Sequence, residues 1–325
     1  MKGFSNRWTD FPDYILGITR DIWEGRAIEG LNHWYAADIP VRTPMGLARG
    51  NAGVIASTMA TLHEFPDRQL LGEDVIWSGS PETHLLSSHR ILSTGTHGGD
   101  GWFGPATGRR FAVRVIADCA ARNDAIDDEW LVRDNGGIVR QLGGDPRGFA
   151  RALIAREGGA ERASRPFTPE IDEAGPYTGT GNDNPFALRH AQMLTRMMQG
   201  DFAHALAEYD RAALADHAGA RQQIGARAIV DNWLSLRAAF PSARFAIHHQ
   251  IGMEGGTMPP RSAIRWSLDG MHDGWGAFGP PTGARVHVMG MVHAEYGPWG
   301  LRRECALWDE IAIWKQILLH TGETE

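Results

Sequence analysis

Two pentapeptides, WLVRD (130–134) and CALWD (305–309), each carry an apolar run into a terminal aspartate. Read as strands, alternation puts Trp130, Val132 and Asp134 on one face and Cys305, Leu307 and Asp309 on the equivalent one. A carboxylate that ends an apolar face is desolvated, so its pKa rises toward the range useful for taking and returning a proton. The same two positions also suit helix capping, with Asp134 and Asp309 accepting from backbone N–H groups beyond Asn135 and Glu310. Both readings stand at this level.

Other chemistries find less support. His287 and His293 share a strand face, but their separation along the strand is about 20 Å, too far to hold one ion. His248 and His249 point to opposite faces. The chain has no HExxH, HxH or paired-carboxylate spacing, so no metal is expected. WSGSP around Ser78 is not the G-x-S-x-G of a nucleophile elbow, and GTGNDN (179–184) follows no strand and opens no βαβ unit, so no dinucleotide site and no cofactor is expected.

Aromatic residues are the remaining candidates for ligand contact. Trp23, Trp34, Trp102, Trp130, Tyr209, Trp233, Trp275 and Trp308 are many for two small domains. Most are expected in cores, and a minority would line a pocket for a planar ring or a quaternary ammonium group. Trp23, Trp34, Trp130, Tyr209 and Trp275, with His97 and His272, are the candidate pocket residues. Arg90 and Arg265 recur at matching places, as do Glu129 and Glu304, and a paired structural role fits them better than ligand contact.

The chain that positions these residues writes one design twice. HGGDGWFGPATG (97–108) and HDGWGAFGPPTG (272–283) stand 175 residues apart, and that offset keeps register without a gap from Gly25–Leu142 onto Gly200–Ile317. Glycines in the two loops permit positive φ, while Pro105 and Pro280 stiffen them, so structural constraint alone could preserve them. Within the first unit, residues 13–36 read as two helices or one broken at Gly25. DIPVRTPMGLARG then reads as a hairpin turned at Pro44-Met45-Gly46, and NAGVIASTMATLHEF as a third helix capped by Asn51. Four strand-like segments follow, making an α+β unit of three helices against a largely antiparallel sheet. The second half repeats the order and ends in a short helix at IAIWKQILLH. The domains are expected at 1–155 and 186–325, joined by a Gly/Pro/Thr-rich linker over 156–185.

At 325 residues with 42% hydrophobic content the chain can fill two cores. A formal charge of −7 with no basic run speaks against nucleic acid and anionic membranes as partners. No signal-like or membrane-spanning apolar run occurs, so a cytoplasmic protein is expected. Cys119 and Cys305 do not occupy equivalent positions and are expected as reduced thiols.

The segments FPDRQLLGEDVIWSG (65–79), THGGDGWFGPATGRR (96–110) and IDDEWLVRDNGGIVRQLG (126–143) together resemble the SnoaL-like polyketide cyclases of the nuclear transport factor 2 superfamily. The second half resembles them through FP (240–241), MHDGWGAFGPPTG (271–283) and LWDEIAIWKQIL (307–318). The resemblance implies two tandem cone-shaped units, each with a buried pocket between helices and a curved sheet. In the cyclases it implies cofactor-free aldol ring closure by an Asp on the last strand with a His on the preceding one. Those positions fall on Asp309 with His293 in the second unit, and on Asp134 with Asp118 in place of the His in the first. The first pair would titrate as a unit, and the second would share a proton. Single-unit relatives pair through their sheets, so the fusion is expected to form an internal pseudo-dimer, with room for further homo-oligomer assembly. The expected function is general acid/base chemistry on a small carbonyl-containing or cyclic substrate. A non-catalytic ligand-binding module and an epoxide or ester hydrolase are the alternatives.

Overall fold

A computed structural model describes residues 1–323. In the first unit, α1 (Phe11–Trp23) starts where the Asp10 carboxylate accepts from the Asp13 amide at 2.8 Å, and it buries Tyr14, Ile15, Ile18 and Ile22. The helix stops before Gly25, and a single turn, α2 (Leu31–Trp34), follows. β1 (Pro40–Thr43) and β2 (Gly46–Arg49) form the expected hairpin around Pro44-Met45. The next helix, α3 (Asn51–Glu64), is capped by Gly50 at φ 81°, not by Asn51. Asn51 is already inside the helix, and its amide is spent on the Tyr35 carbonyl at 3.1 Å.

β3 (Gln69–Gly79), β4 (Leu85–Thr96), β5 (Arg110–Arg122) and β6 (Ala125–Arg133) complete a sheet of order β2-β1-β6-β5-β4-β3. Its neighbours are antiparallel except β1 and β6. α4 (Asn135–Gln141) and α5 (Pro146–Arg156) close the unit. The second unit repeats the plan with α6 (Pro185–Met198), α7 (Phe202–Glu208), β7 (Tyr209–His217), β8 (Arg221–Ile224) and α8 (Ala226–Ala239). β9 (Arg244–Met253), β10 (Arg261–Met271), β11 (Arg285–Gly297), β12 (Gly300–Trp308) and α9 (Glu310–Thr321) follow, with sheet order β8-β7-β12-β11-β10-β9. Pairing registers carry the repeat: Ser88 opposes Asp118 and Asp118 opposes Trp130, as Ala263 opposes His293 and His293 opposes Cys305.

Each sheet turns one face to its own helices and the other to the second sheet. Between the sheets lie Ile116, Val132, Met289, Met291, Cys305 and Leu307, and further along Ile76, Leu86, Ala120, Ile251 and Ala263. This is an internal pseudo-dimer built by sheet-on-sheet packing. The segment 157–184 contains a single 3-10 turn (Pro169–Ile171) yet is laid firmly across this seam. Phe167 is buried and its amide donates to the Pro44 carbonyl at 3.0 Å, and the Tyr177 hydroxyl meets His249 Nε2 at 2.8 Å. α5 packs on α9 through Leu153, Ile154, Ile311 and Leu318.

The twice-written loop is pinned the same way in both units. His97 Nδ1 meets Thr107 Oγ1 at 3.2 Å and its ring lies against Phe65; His272 Nδ1 meets Thr282 Oγ1 at 3.0 Å and its ring lies against Phe240. Both imidazoles are fully buried.

Candidate functional site

The concave face of the first sheet is hollow. Along β4 and β6, alternation turns His89, Ile91, Glu129, Leu131 and Arg133 toward the helices, where they line a cavity of about 270 Å³ with Trp23 and Tyr35. A second compartment, about 420 Å³, opens past Thr43, Ser57, Arg68, Leu131 and Arg133, which line both. Its outer wall includes Trp102, Phe103, Glu64, Asn135 and, from the other unit, Asp309. The two compartments form one chamber with a waist.

The chamber's polar groups are few and strongly desolvated. Burial pushes Glu129 up to about 7, although the positive charge of Arg133 and a hydrogen bond from Tyr35 pull the other way. The Tyr35 hydroxyl is raised well above its ordinary value by burial and by the carboxylate beside it. His89 shares a hydrogen bond with Ser87 Oγ at 3.1 Å, and burial lowers its pKa to about 4, so it is a neutral imidazole near pH 7. Burial, helped by the Arg133 charge, brings Arg68 down to about 9. A carboxyl group poised near neutrality in a mostly apolar cavity can exchange protons with a bound molecule.

The second unit fills the same space. Thr58, Ile91 and Arg133 correspond at the 175-residue offset to Trp233, Trp266 and Trp308. Those three indoles are almost wholly buried, with ring centroids 5.6 to 6.3 Å apart. Room for Trp266 comes from Gly290, where a Cβ would stand 2.1 Å from the ring; the first-unit counterpart is Val115, a chamber wall. Glu304, the counterpart of Glu129, accepts from His217 Nε2 at 2.6 Å, the Tyr209 hydroxyl at 2.5 Å and Trp233 Nε1 at 2.8 Å. Against the cost of burial, the His217 bond and charge hold Glu304 below the usual carboxylate range.

The predicted site residues are not brought together. Asp134 lies at the sheet seam, where its carboxylate accepts from the amides of Gly137 at 2.9 Å and, across the seam, Gly219 and Ala220 at 2.7 Å each. Burial raises it to about 6 and the three N–H groups oppose that rise. Asp309 caps α9 through Ile311 at 2.9 Å and accepts from Asn135 Nδ2 at 2.6 Å; burial raises it to about 7, and it alone of the predicted carboxylates borders the chamber. The expected Asp309–His293 pair is not formed, because His293 faces the opposite sheet and bonds Ser88 Oγ at 2.9 Å. Asp118 likewise does not share a proton with Asp134; it pairs with Arg265 at 3.2 Å. Trp130 is in the seam, with Arg265 over its ring at 3.6 Å and Arg42 at 4.5 Å.

Of the aromatic candidates, Trp23 lines the chamber. Trp34 packs on the first core without reaching the chamber, Tyr209 is bound to Glu304 in the second core, and Trp275 is exposed. His97 and His272 serve their loops. Tyr35, Arg68, His89, Glu129 and Arg133 line the chamber and are not among the site residues the sequence singles out; of the two glutamates expected in a paired structural role, Glu304 is bonded within a core and Glu129 faces the cavity. The available signal was the contrast between units, since three tryptophans stand in one where a threonine, an isoleucine and an arginine stand in the other. Among the described residues, no group of three or more His, Cys, Asp or Glu is placed to hold a metal, and both cysteines are free and buried. No described helix is long and apolar enough to cross a membrane.

Fold and chamber define a tandem pair of α+β cone units, one hollow and one filled. Residues 14–142 match the family model of the SnoaL-like polyketide cyclases. The second sheet, of the same strand order, fits a second such unit. Solved structures similar to this chain include IdmH, a putative polyketide cyclase from Streptomyces antibioticus, at 26% identity and TM-score 0.36, covering 41% of this chain and 97% of its own. A putative polyketide cyclase from Acidithiobacillus ferrooxidans is similar at 20% identity and TM-score 0.36, covering 40% and 92%. TsrD from Streptomyces laurentii is similar at 23% identity and TM-score 0.35, covering 41% and 93%. Comparison with curated protein sequences gives no match.

Proposed function

We propose that the chain is a cofactor-independent acid/base enzyme of the cyclase type, working in the first unit's chamber on a small carbonyl-containing cyclic or cyclisable substrate. Glu129 is the proton-transfer group. Its carboxylate takes a proton from the carbon beside a carbonyl, the enolate carbon attacks a second carbonyl to close the ring, and Glu129 returns the proton to the new alkoxide. His89 and Arg133, on the same concave face, are the groups that would stabilise negative charge on the reacting oxygen. Asp309 borders the outer compartment and is the second carboxylate within reach of a bound molecule.

The observation that supports this reading is the divergence at one register position: Glu129 faces a cavity, while Glu304 is bonded on all sides in a core filled by tryptophan. In this reading the second unit is the structural partner, replacing the second copy that single-unit relatives use. A binding-only protein would need the chamber but not the titrating carboxyl. The experiment is a turnover screen of diketones and cyclic ketones with wild type and Glu129→Gln. Turnover by wild type that Glu129→Gln retains in full would leave binding as the better description.

A further inference from the structure

We propose that the ligand of this chamber carries a carboxylate, held at the waist between Arg68 and Arg133. The inference rests on the chamber being the binding site and adds the chemical class of what enters it.

Both arginines line the inner and the outer compartment. Arg68 is 5% exposed, its guanidinium stacked over Trp23 at 5.1 Å and near Phe65 at 5.8 Å, with one hydrogen bond, from Nε to Ser93 Oγ at 3.2 Å. Among the described residues, no carboxylate lies within ion-pair distance of either guanidinium. Elsewhere in the molecule buried arginines are matched: Arg42 pairs with Asp128, Arg261 with Asp74 and Arg265 with Asp118. Glu64, Glu129 and Asp309 act on the chamber arginines only through longer-range charge, and the two cations repel each other.

Two like charges, Arg68 buried and Arg133 half-buried, held together without an ion-pair partner are a standing cost. The fold does not require it, because the equivalent positions in the second unit are Ala243 and Trp308. A carboxylate presents two oxygens to the planar forks of the two guanidiniums and removes the repulsion. The apolar inner walls, Ile22, Leu31, Ile91 and Val115 among them, then take the body of the molecule. An enolate formed during reaction would call on the same cations only transiently. A resting site with two of them implies an anion already present in the ground state.

The test uses the full chain and isothermal titration with one- and two-ring aromatic carboxylates, each beside its primary amide. The acid is expected to bind at least tenfold tighter than the amide to wild type. Arg68→Gln and Arg133→Gln are expected to abolish that preference, with circular dichroism reporting the fold, and Arg68→Lys to restore part of it. Equal binding of acid and amide to wild type overturns the proposal and leaves the Glu129 reading intact, as does a preference that survives both glutamine variants. Failure of every carboxylate to bind wild type overturns it as well. The proton-transfer reading is judged separately, by the effect of Glu129→Gln on turnover.

Discussion

Glu129 and Glu304 occupy the same position in their two sheets, Glu129 opposite Cys119 and Glu304 opposite Ala294, and they have opposite fates. Glu304 is held ionised by His217, Tyr209 and Trp233, while Glu129 keeps one neighbouring hydroxyl and faces open space. A duplicated sheet has become one working cavity and one solid support.

Replacing Glu129 with Gln keeps volume and removes the titrating group. Turnover is expected to fall by roughly 10²- to 10⁴-fold with the thermal midpoint little changed. In wild type, kcat/KM should rise as pH passes about 7, where Glu129 becomes a base, and that rise should vanish in the variant. A pH profile common to both proteins would point to a different base.

Thr58→Trp installs in the first unit the residue that Trp233 supplies in the second. It should fill the inner compartment, leave the chain folded and weaken ligand binding at least tenfold, measured by titration calorimetry. The reverse change, Trp233→Ala, deletes a buried indole and should cost about 3–5 kcal/mol in denaturant unfolding. Unimpaired ligand affinity in Thr58→Trp would place the binding site elsewhere.

Asp134→Ala strips a shared acceptor from three backbone amides, those of Gly137 and Gly219 buried and that of Ala220 part-buried, two of them in the other unit. The expected cost is about 1–3 kcal/mol of stability with kcat unchanged at a temperature where the variant is folded. A larger loss, about 3–5 kcal/mol, is expected for Asp118→Ala, which leaves Arg265 buried without its partner. If kcat drops in Asp134→Ala at full folding, the seam aspartate takes part in the chemistry after all.

Asp309 titrates near 7 in the folded chain and near 4 when unfolded, so its protonated form stabilises the fold fully below about pH 4, and the contribution is lost as pH rises through about 7. Asn at this position still caps α9 but cannot titrate. The stability of wild type relative to Asp309→Asn should therefore decline between pH 5 and pH 8. His89, His190, His249 and His293, all lowered by burial, are common to both proteins and cancel in the difference. A difference that stays flat across the interval would mean Asp309 is already ionised at pH 5.

The sequence by itself determined the duplication, the order of elements and the side-chain alternation along each strand. An offset of 175 residues and period-two patterns survive in the order of residues, because turns, caps and strand faces are local requirements. Even the asymmetry was written there, since tryptophan at 233, 266 and 308 needs volume that threonine, isoleucine and arginine at 58, 91 and 133 do not. Alternation says that Trp130, Val132 and Asp134 share a face; it does not say what that face meets. Both faces of β5, β6, β11 and β12 are buried, one against helices and one against the other sheet, so neither carries a polar signature to distinguish them. Only the tertiary structure decided that Asp134, Asp118 and His293 look into the seam while Glu129, His89 and Arg133 look into the chamber, because that choice is made by long-range packing of one sheet on another.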